Sequence, residues 1–493
     1  MDTSSFNPML TPDFIVRSLH LRIPALPRPH TPFTGVFTDS RKSVPGSLFV
    51  ALQGKNYDGH DFIENAVANG ARGILCQRGH SVVGSKNAYL FYVEDPLKAY
   101  RRVAAAWRKE FSIPLIAIAG SAGKTTTKEL LAAILQGKWK NILKTQGSQN
   151  GFVGIPMTLL ELKPQHDAAI IEIGIDEVGT MEQHIALVSP GYSILTSIGP
   201  EHLENLMDVP TIAREEGIAL SHVAKTDGTV AIYLDDPWIR PHLTTPKEGR
   251  KIPYSLKGAT SKMEMISGHL SENGKELTFS GLGIPETTIP MPLPGSHNAS
   301  NLLGAITLAA GLGLNATEIK KGITFFQGAE GRSEIVSLPG ALSVICDYYN
   351  AQPASMAAAF NLLHETARHS GATRPQWACL ADMLELGQNE EILHRELASK
   401  ILELEINHVL LLGPRMKALS DELRRKGFQG QLADYNSHAE LASALTKGVR
   451  PGDVVLIKGS RGMKMEEVWK ILEPFAKLHW SEPVESTNSP SQL

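Results

Sequence analysis

The chain has 493 residues, too many for one ordinary hydrophobic core, so two to four domains are expected. Hydrophobic residues make up 42% and charged residues 20%, the mix of a soluble globular protein, and a formal net charge of −3 gives no broad field to attract nucleic acid or an anionic membrane. Cys76, Cys346 and Cys379 stand too far apart for a disulfide framework or a zinc site and suit a reducing compartment. MDTSSFNPMLTPDF lacks the basic start and apolar centre of a signal peptide, and no apolar run is long enough for a bilayer. A cytoplasmic monomer without membrane insertion is the expectation.

Along the chain, residues 1–111 form the first block. TDSRKSVPGSLFVAL places a Val-Pro-Gly turn before a strand at Ser47–Leu52. HDFIENAVANGARGILC reads as a helix closed by Gly70 or Gly73 and followed by a strand. Ser112-Ile113-Pro114 marks a seam, and residues 112–330 then alternate short apolar runs with helical patterns, the mark of a mainly parallel sheet covered by helices. In that block PLPGSHNASNLLGAITLAAGLG leads from a loop into a small-residue helix. Gly328-Ala329-Glu330-Gly331 looks like a hinge into a third block, residues 331–478. There SVICDYY, WACLADM, HVLLLGP and DVVLIKGS are strands, each followed by an amphipathic helix, and five or so such units make a doubly wound domain. The polar tail, 479–493, is expected to be disordered. The fold class is α/β in three domains, with a small first domain, a central sheet carrying a phosphate loop, and a Rossmann-like third domain.

The chemistry starts at IAIAGSAGKTTTKELLAAIL, where the strand Leu115–Ala119 turns through Gly120-Ser121-Ala122-Gly123 into a helix beginning Lys124-Thr125-Thr126. Glycines let backbone N–H groups face an anion, and the helix N-terminus adds partial positive charge. Lys124 can reach outer phosphates and the Thr125 hydroxyl can ligate Mg²⁺. The usual longer spacing is not met, because Ile118 stands where its first glycine would be. The competing reading is a plain strand-to-helix turn with a surface lysine. Two further apolar runs weigh against that. AAIIEI, residues 168–173, delivers Glu172 near its end, and SILTSI, residues 193–198, is followed at once by Gly199-Pro200-Glu201-His202. Ligands of open α/β sheets bind where strands end, so three parallel strands would bring Lys124, Glu172 and His202 to one rim around ATP and Mg²⁺.

These segments resemble the Mur ligases of peptidoglycan synthesis, in family order, from roughly Phe37 to Leu472. TDSRKSVPGSLFVALQGKNYDGHDFIENAVANGARG is similar to the uridine-nucleotide-binding first domain of the branches that add an amino acid or a terminal dipeptide. GSAGKTTTKE, LPGSHNASNLLGA, GRSEI, DYYNAQPASM, LADMLELGQNEEILHREL and KGSRGMKMEEV follow in order. DYYNAQP is closer to the dipeptide-adding branch. The resemblance implies that ATP phosphorylates the terminal carboxylate of UDP-N-acetylmuramoyl-tripeptide, and that the amine of D-Ala-D-Ala attacks the acyl phosphate. It implies that Thr125 and Glu172 hold the nucleotide's Mg²⁺ and that His202 helps hold a second one. By the same resemblance His297, Asn298 and Asn301 contact the adenine, and Arg332 and Asp347 reach ATP as the third domain closes. Ser40, Arg41 and Asn150 match positions near the uridine nucleotide or the muramoyl peptide. Lys458, Ser460 and Arg461 would face the incoming dipeptide, unless they form a solvated basic loop. Because these groups sit in separate blocks, the site should assemble by domain closure.

Some positions depart from the pattern. Most Mur ligases carry a carbamylated lysine where Glu216 falls here. A glutamate is a carboxylate at neutral pH, so Glu216 is expected to serve as a built-in ligand of the second cation; the alternative is a solvated helix face. Ala122 replaces an asparagine and loses one side-chain contact. Asp176 and Glu177 replace Asn-His and add negative charge near the substrate, and Gln352 replaces another asparagine. The competing functions are an amino-acid-adding ligase, a folylpolyglutamate or cyanophycin-type ligase, and a weak Mur-like nucleotide-binding scaffold.

Overall fold

The computed structural model describes residues 9–22, 31–54, 56–80, 88–244, 249–258, 264–328, 330–368 and 373–480. Among them the apolar runs fall into three sheets of four, nine and six strands. The first is wholly parallel: Val36–Phe37, Leu48–Val50, Gly73–Gln77 and Tyr89–Val93, in that order. The helix read from the sequence is Ile63–Ala68, so Gly73 opens the next strand rather than closing the helix.

The central sheet places Leu115–Ala119 between Ala168–Glu172 and Tyr192–Leu195, all parallel. Leu115–Ala119 is buried at every position, as a strand covered by helices on both faces must be. Ile142–Lys144 lies outside Ala168–Glu172, and Thr229–Tyr233, Arg250–Ser255 and Ile266–Leu270 continue the parallel run on the other side. Glu276–Gly281 and Ile284–Pro290 then complete the sheet as an antiparallel meander. The strand read as ending at Ile198 stops at Leu195, which leaves residues 196–202 as a loop.

The third sheet runs Glu334–Leu338, Leu342–Cys346, Val454–Lys458, Gln376–Ala381, His408–Leu412 and Gln431–Tyr435, parallel except for the first pair. The two edge strands were not legible as strands. The last helix, Glu466–Trp480, extends two residues into the segment expected to be a tail; residues 481–493 lie outside the described part, as does Ala329 of the expected hinge. Among the described residues no helix is long and apolar enough to cross a membrane.

One helix ties the first block to the second. Pro96–Arg108 begins with proline at its first turn, and the Asp95 side chain accepts the Lys98 N–H. Its Tyr100, Val103 and Trp107 are buried in a core shared with Leu159, Ile185 and Val188 of the central block. Trp107 Nε1 donates to Leu162 O at 3.2 Å, and Arg108 donates to Val188 O and Ser189 O at 3.0 Å each.

The same seam holds a buried histidine. Arg101 donates to His184 Nδ1 at 3.3 Å and stacks over Phe152, while His184 itself has no exposed surface. Burial, with the Arg101 charge beside it, pushes the imidazole from about 6.5 down to about 3. Below pH 6.5 the unfolded chain gains a proton that the folded chain refuses, so this stability is complete above pH 6.5 and drains as pH falls toward 3. A loss of about 2 kcal/mol between pH 6.5 and 5 is expected from this residue. Urea unfolding at the two pH values checks it, and His184→Gln should lose that part of the pH slope.

Candidate active site

The strand Leu115–Ala119 ends in the glycine-containing loop, and the helix Lys124–Leu135 starts directly after it. Gly123 has φ +85°, and a Cβ there would sit 2.5 Å from Asn301 Oδ1, so only glycine fits the turn. The loop is braced from the next strand end: Ser121 N–H donates to Ser197 O at 2.8 Å, and the Ser121 hydroxyl donates to Gly199 O at 3.0 Å. Ala122 N–H donates to Ser197 Oγ at 3.2 Å. Lys124 folds back, its ammonium bonded to Gly120 O and paired with Glu201 at 3.4 Å. Burial pulls the Lys124 pKa down, but the carboxylates of Glu201, Glu216 and Glu172 outweigh it and hold it above its ordinary value. It is a fixed cation.

Glu172 closes the neighbouring strand and is buried. Its Oε2 accepts the Thr125 hydroxyl at 2.9 Å and faces the Lys128 ammonium at 3.3 Å, while Oε1 accepts Asn150 Nδ2 at 2.8 Å. His202 follows the third strand. Its Nδ1 lies 2.8 Å from Glu385 Oε2, in the loop that follows the strand Gln376–Ala381 of the C-terminal sheet. That carboxylate raises the His202 pKa against the opposing effect of burial. Lys124, Thr125, Glu172 and His202 all line one cavity of about 630 Å³.

The C-terminal sheet supplies the facing wall. Arg332 stacks 4.0 Å over the Tyr349 ring, and the Tyr349 hydroxyl bonds Ser148 of the central block. Asp347 accepts the Ser333 N–H at 2.9 Å and pairs with Lys458 at 2.6 Å. Lys458 and Ser460 are buried, so neither belongs to a solvated loop; Ser460 Oγ accepts the Leu384 N–H at 2.9 Å and donates to Ala351 O. Arg461 is exposed and sits 5.4 Å from Tyr349. On the central side, burial lowers the pKa of His297, and the Asn298 amide closes on Pro294 O at 2.7 Å. Ser121, Ala122, Gly123, Thr126, Asn150, His297, Asn298 and Asn301 line the cavity, as do Arg332, Asp347, Lys458 and Arg461. Gly120, Ser40, Arg41, Ser460 and Glu216 are not on its wall. Ser40 and Arg41 lie in the first sheet's block, where Arg41 grips Asp39 with two bonds of 2.9 and 2.8 Å.

Three family models match the chain in order: "Mur ligase family, catalytic domain" over residues 32–111, "Mur ligase middle domain" over 118–309, and "Mur ligase, glutamate ligase domain" over 331–461. The UDP-N-acetylmuramoyl-tripeptide–D-alanyl-D-alanine ligase of Synechocystis sp. is 32% identical over 433 residues, covering 88% of this chain and 90% of its own. The chain belongs to the Mur ligase family. The fold agrees: MurF from Acinetobacter baumannii superposes with a TM-score of 0.81 at 24% identity, covering 95% of this chain and 99% of that one. MurF ligase from Thermotoga maritima, solved in complex with ADP, superposes at 0.76 with 22% identity over 90% of this chain and 98% of its own.

In this Mur ligase Glu216 does not lie on a solvated helix face. It is fully buried beneath the phosphate loop, its Oε2 accepting the Gly120 N–H at 2.7 Å. Burial and the neighbouring Glu201 raise its pKa above the ordinary carboxylate value, with Lys124 and the Gly120 bond opposing. Two adjacent buried carboxyls resist ionising together, which works against the expectation of a permanent carboxylate at Glu216. Oε1 of Glu201 and Oε1 of Glu216 are both buried without a hydrogen-bond partner. Among the described residues no three His, Cys, Asp or Glu side chains converge as a cation site.

Sequence reasoning assigned no role to Glu201, Tyr349 or Glu385. Glu201 could have been found as the acid beside His202. Tyr349 lies within DYYNAQP, and Glu385 lies in LADMLELG directly after an apolar strand.

Proposed function

We propose that this Mur ligase joins D-alanyl-D-alanine to the terminal carboxylate of UDP-N-acetylmuramoyl-tripeptide, using ATP and releasing ADP and phosphate. One observation carries the reading: Lys124, Glu172 and His202, from three adjoining parallel strand ends, share one cavity with Arg332 and Asp347 of the C-terminal sheet. The whole-length likeness to a D-alanyl-D-alanine-adding relative supports that choice of substrates.

In the first step a substrate carboxylate oxygen bonds the γ-phosphorus as the bond to ADP breaks. In the second, the dipeptide nitrogen bonds the acyl carbon, loses a proton, and phosphate departs with the cleaved C–O bond. Charge gathers on the transferred phosphoryl group, so a desolvated ammonium and aligned N–H groups do most of the work. Lys124 gives up its own Gly120 carbonyl for a phosphate oxygen. The first N–H groups of the helix Lys124–Leu135 have no partners within it and face the same charge. Arg332, already flat on Tyr349, lies across the cavity to meet the phosphates from the other side.

The donor set fits Mg²⁺, since a hydroxyl and a carboxylate oxygen already converge at 2.9 Å between Thr125 and Glu172. Those two residues would hold it, and the ion would neutralise phosphate charge. Ser40, Arg41 and Asn150 serve the UDP-linked substrate, and His297, Asn298 and Asn301 the adenine. Arg461, the exposed member of its trio, faces the dipeptide. The enzyme acts as a cytoplasmic monomer.

ADP release with UDP-N-acetylmuramoyl-tripeptide, with and without D-Ala-D-Ala, tests this. Dipeptide-dependent turnover is expected. Preference for a single amino acid, or nucleotide binding without turnover, would replace the reading with an amino-acid-adding ligase or a scaffold.

A further inference from the structure

His202 and Glu385 meet from different domains, and both have left-handed backbones, with φ +45° and +64°. Histidine tolerates that region better than most residues, but glutamate does not favour it, and a strained position such as Glu385 persists where surrounding structure holds it. Glu385 is held closely. Its loop follows the strand Gln376–Ala381, and nearly every residue in it is tethered. Asp382 Oδ1 accepts the Met416 N–H at 2.9 Å, Met383 N–H donates to His394 Nε2 at 3.0 Å, and Leu384 N–H donates to Ser460 Oγ at 2.9 Å. His394 is fixed in turn through Nδ1 to Glu390 O at 2.6 Å, and Leu386 is buried. The loop's two ends are therefore fastened, and Glu385, 58% exposed, is its free projection.

The approach is also close at the backbone. Gly387 has φ +59°, and a Cβ there would lie 3.0 Å from both N and Cα of Glu204, in the short helix that His202 caps. With a larger residue at 387 the two loops would be held apart. An ion pair this exposed adds little stability, so adhesion alone is a poor reason for so much fixed geometry.

We propose that Glu385 is a positioning residue for His202. When the C-terminal sheet docks, the carboxylate takes Nδ1 and fixes the ring, leaving Nε2 as the one nitrogen His202 offers to the cavity. Partners of this kind typically change activity by about 10–100-fold through the group they orient. The inference rests on the ligase reading for its catalytic half only.

Three variants test it in the full-length chain. Glu385→Ala is expected to lower kcat about 10–100-fold with KM for ATP and for the UDP-linked peptide within about twofold, and with an unchanged unfolding midpoint. Glu385→Gln, which still accepts from Nδ1–H, is expected to recover most of the loss. Gly387→Ala should copy the kcat defect by blocking the approach. Hydrogen exchange supplies the readout that needs no turnover: amides of residues 203–206 should exchange faster in Glu385→Ala than in the parent. Parental kcat in Glu385→Ala, a Gln variant as impaired as the Ala variant, or unchanged exchange at 203–206 would each overturn the proposal. An inactive parent would sink the ligase reading instead, while the exchange result still decides the contact.

Discussion

Lys124→Met is expected to lower kcat about 10³-fold, or about 4 kcal/mol of transition-state stabilisation, with a much smaller change in KM for the UDP-linked peptide. The reason is the lysine's present environment. Its ammonium is paired with Glu201 and bonded to the carbonyl of its own loop, and the neighbouring acidic side chains, Glu201 first, keep it charged. A largely buried charge of this kind counts most where new negative charge develops. The methionine stem fills the same volume, so folding should survive. Steady-state ADP release together with the thermal midpoint checks both halves; a loss under tenfold would remove Lys124 from the phosphate clamp.

The second large effect belongs to Glu216. Glu216→Ala leaves the Gly120 N–H without its acceptor in a buried place, at a cost of about 1–3 kcal/mol. Because that N–H anchors the root of the phosphate loop, KM for ATP is expected to rise by about tenfold. Glu216→Gln separates a support from a cation ligand. An amide has the shape of a protonated carboxyl, accepts from Gly120 and donates toward Glu201, so a support role predicts activity within about threefold of the parent. A ligand role predicts a loss as deep as that of alanine. Added bicarbonate should change nothing, since position 216 has no amine to carbamylate.

The strand ends were readable because their pattern is extreme. Leu115–Ala119 and Ala168–Glu172 are apolar until they reach the rim, and the first polar group after each run lands at the cavity. Periodicity failed at the sheet edges. Gln431–Tyr435 is half exposed and carries Asp434, and Ile284–Pro290 shows only three buried positions in seven, so neither stands out from a loop. Motifs led to Lys124, Glu172 and His202 on one cavity, though not to every residue named from them, and nothing local marked where two distant segments meet. No local signal pairs position 202 with 385, or says that a charged residue in the helix Val209–Lys225 ends up beneath the phosphate loop. Glu216 is the sharpest case: the upward push on its pKa comes from complete burial and from Glu201, which only the tertiary arrangement supplies.

The helix Pro96–Arg108 has a mechanical meaning. Its residues share a core with the central sheet's helices and are pinned to Leu162, Val188 and Ser189, so the first sheet is carried on the same rigid platform as the phosphate loop. Whatever the first block holds would thus keep a fixed distance from the phosphate loop. Separating the first sheet from the phosphate loop would mean breaking that shared core, so the two blocks form one jig.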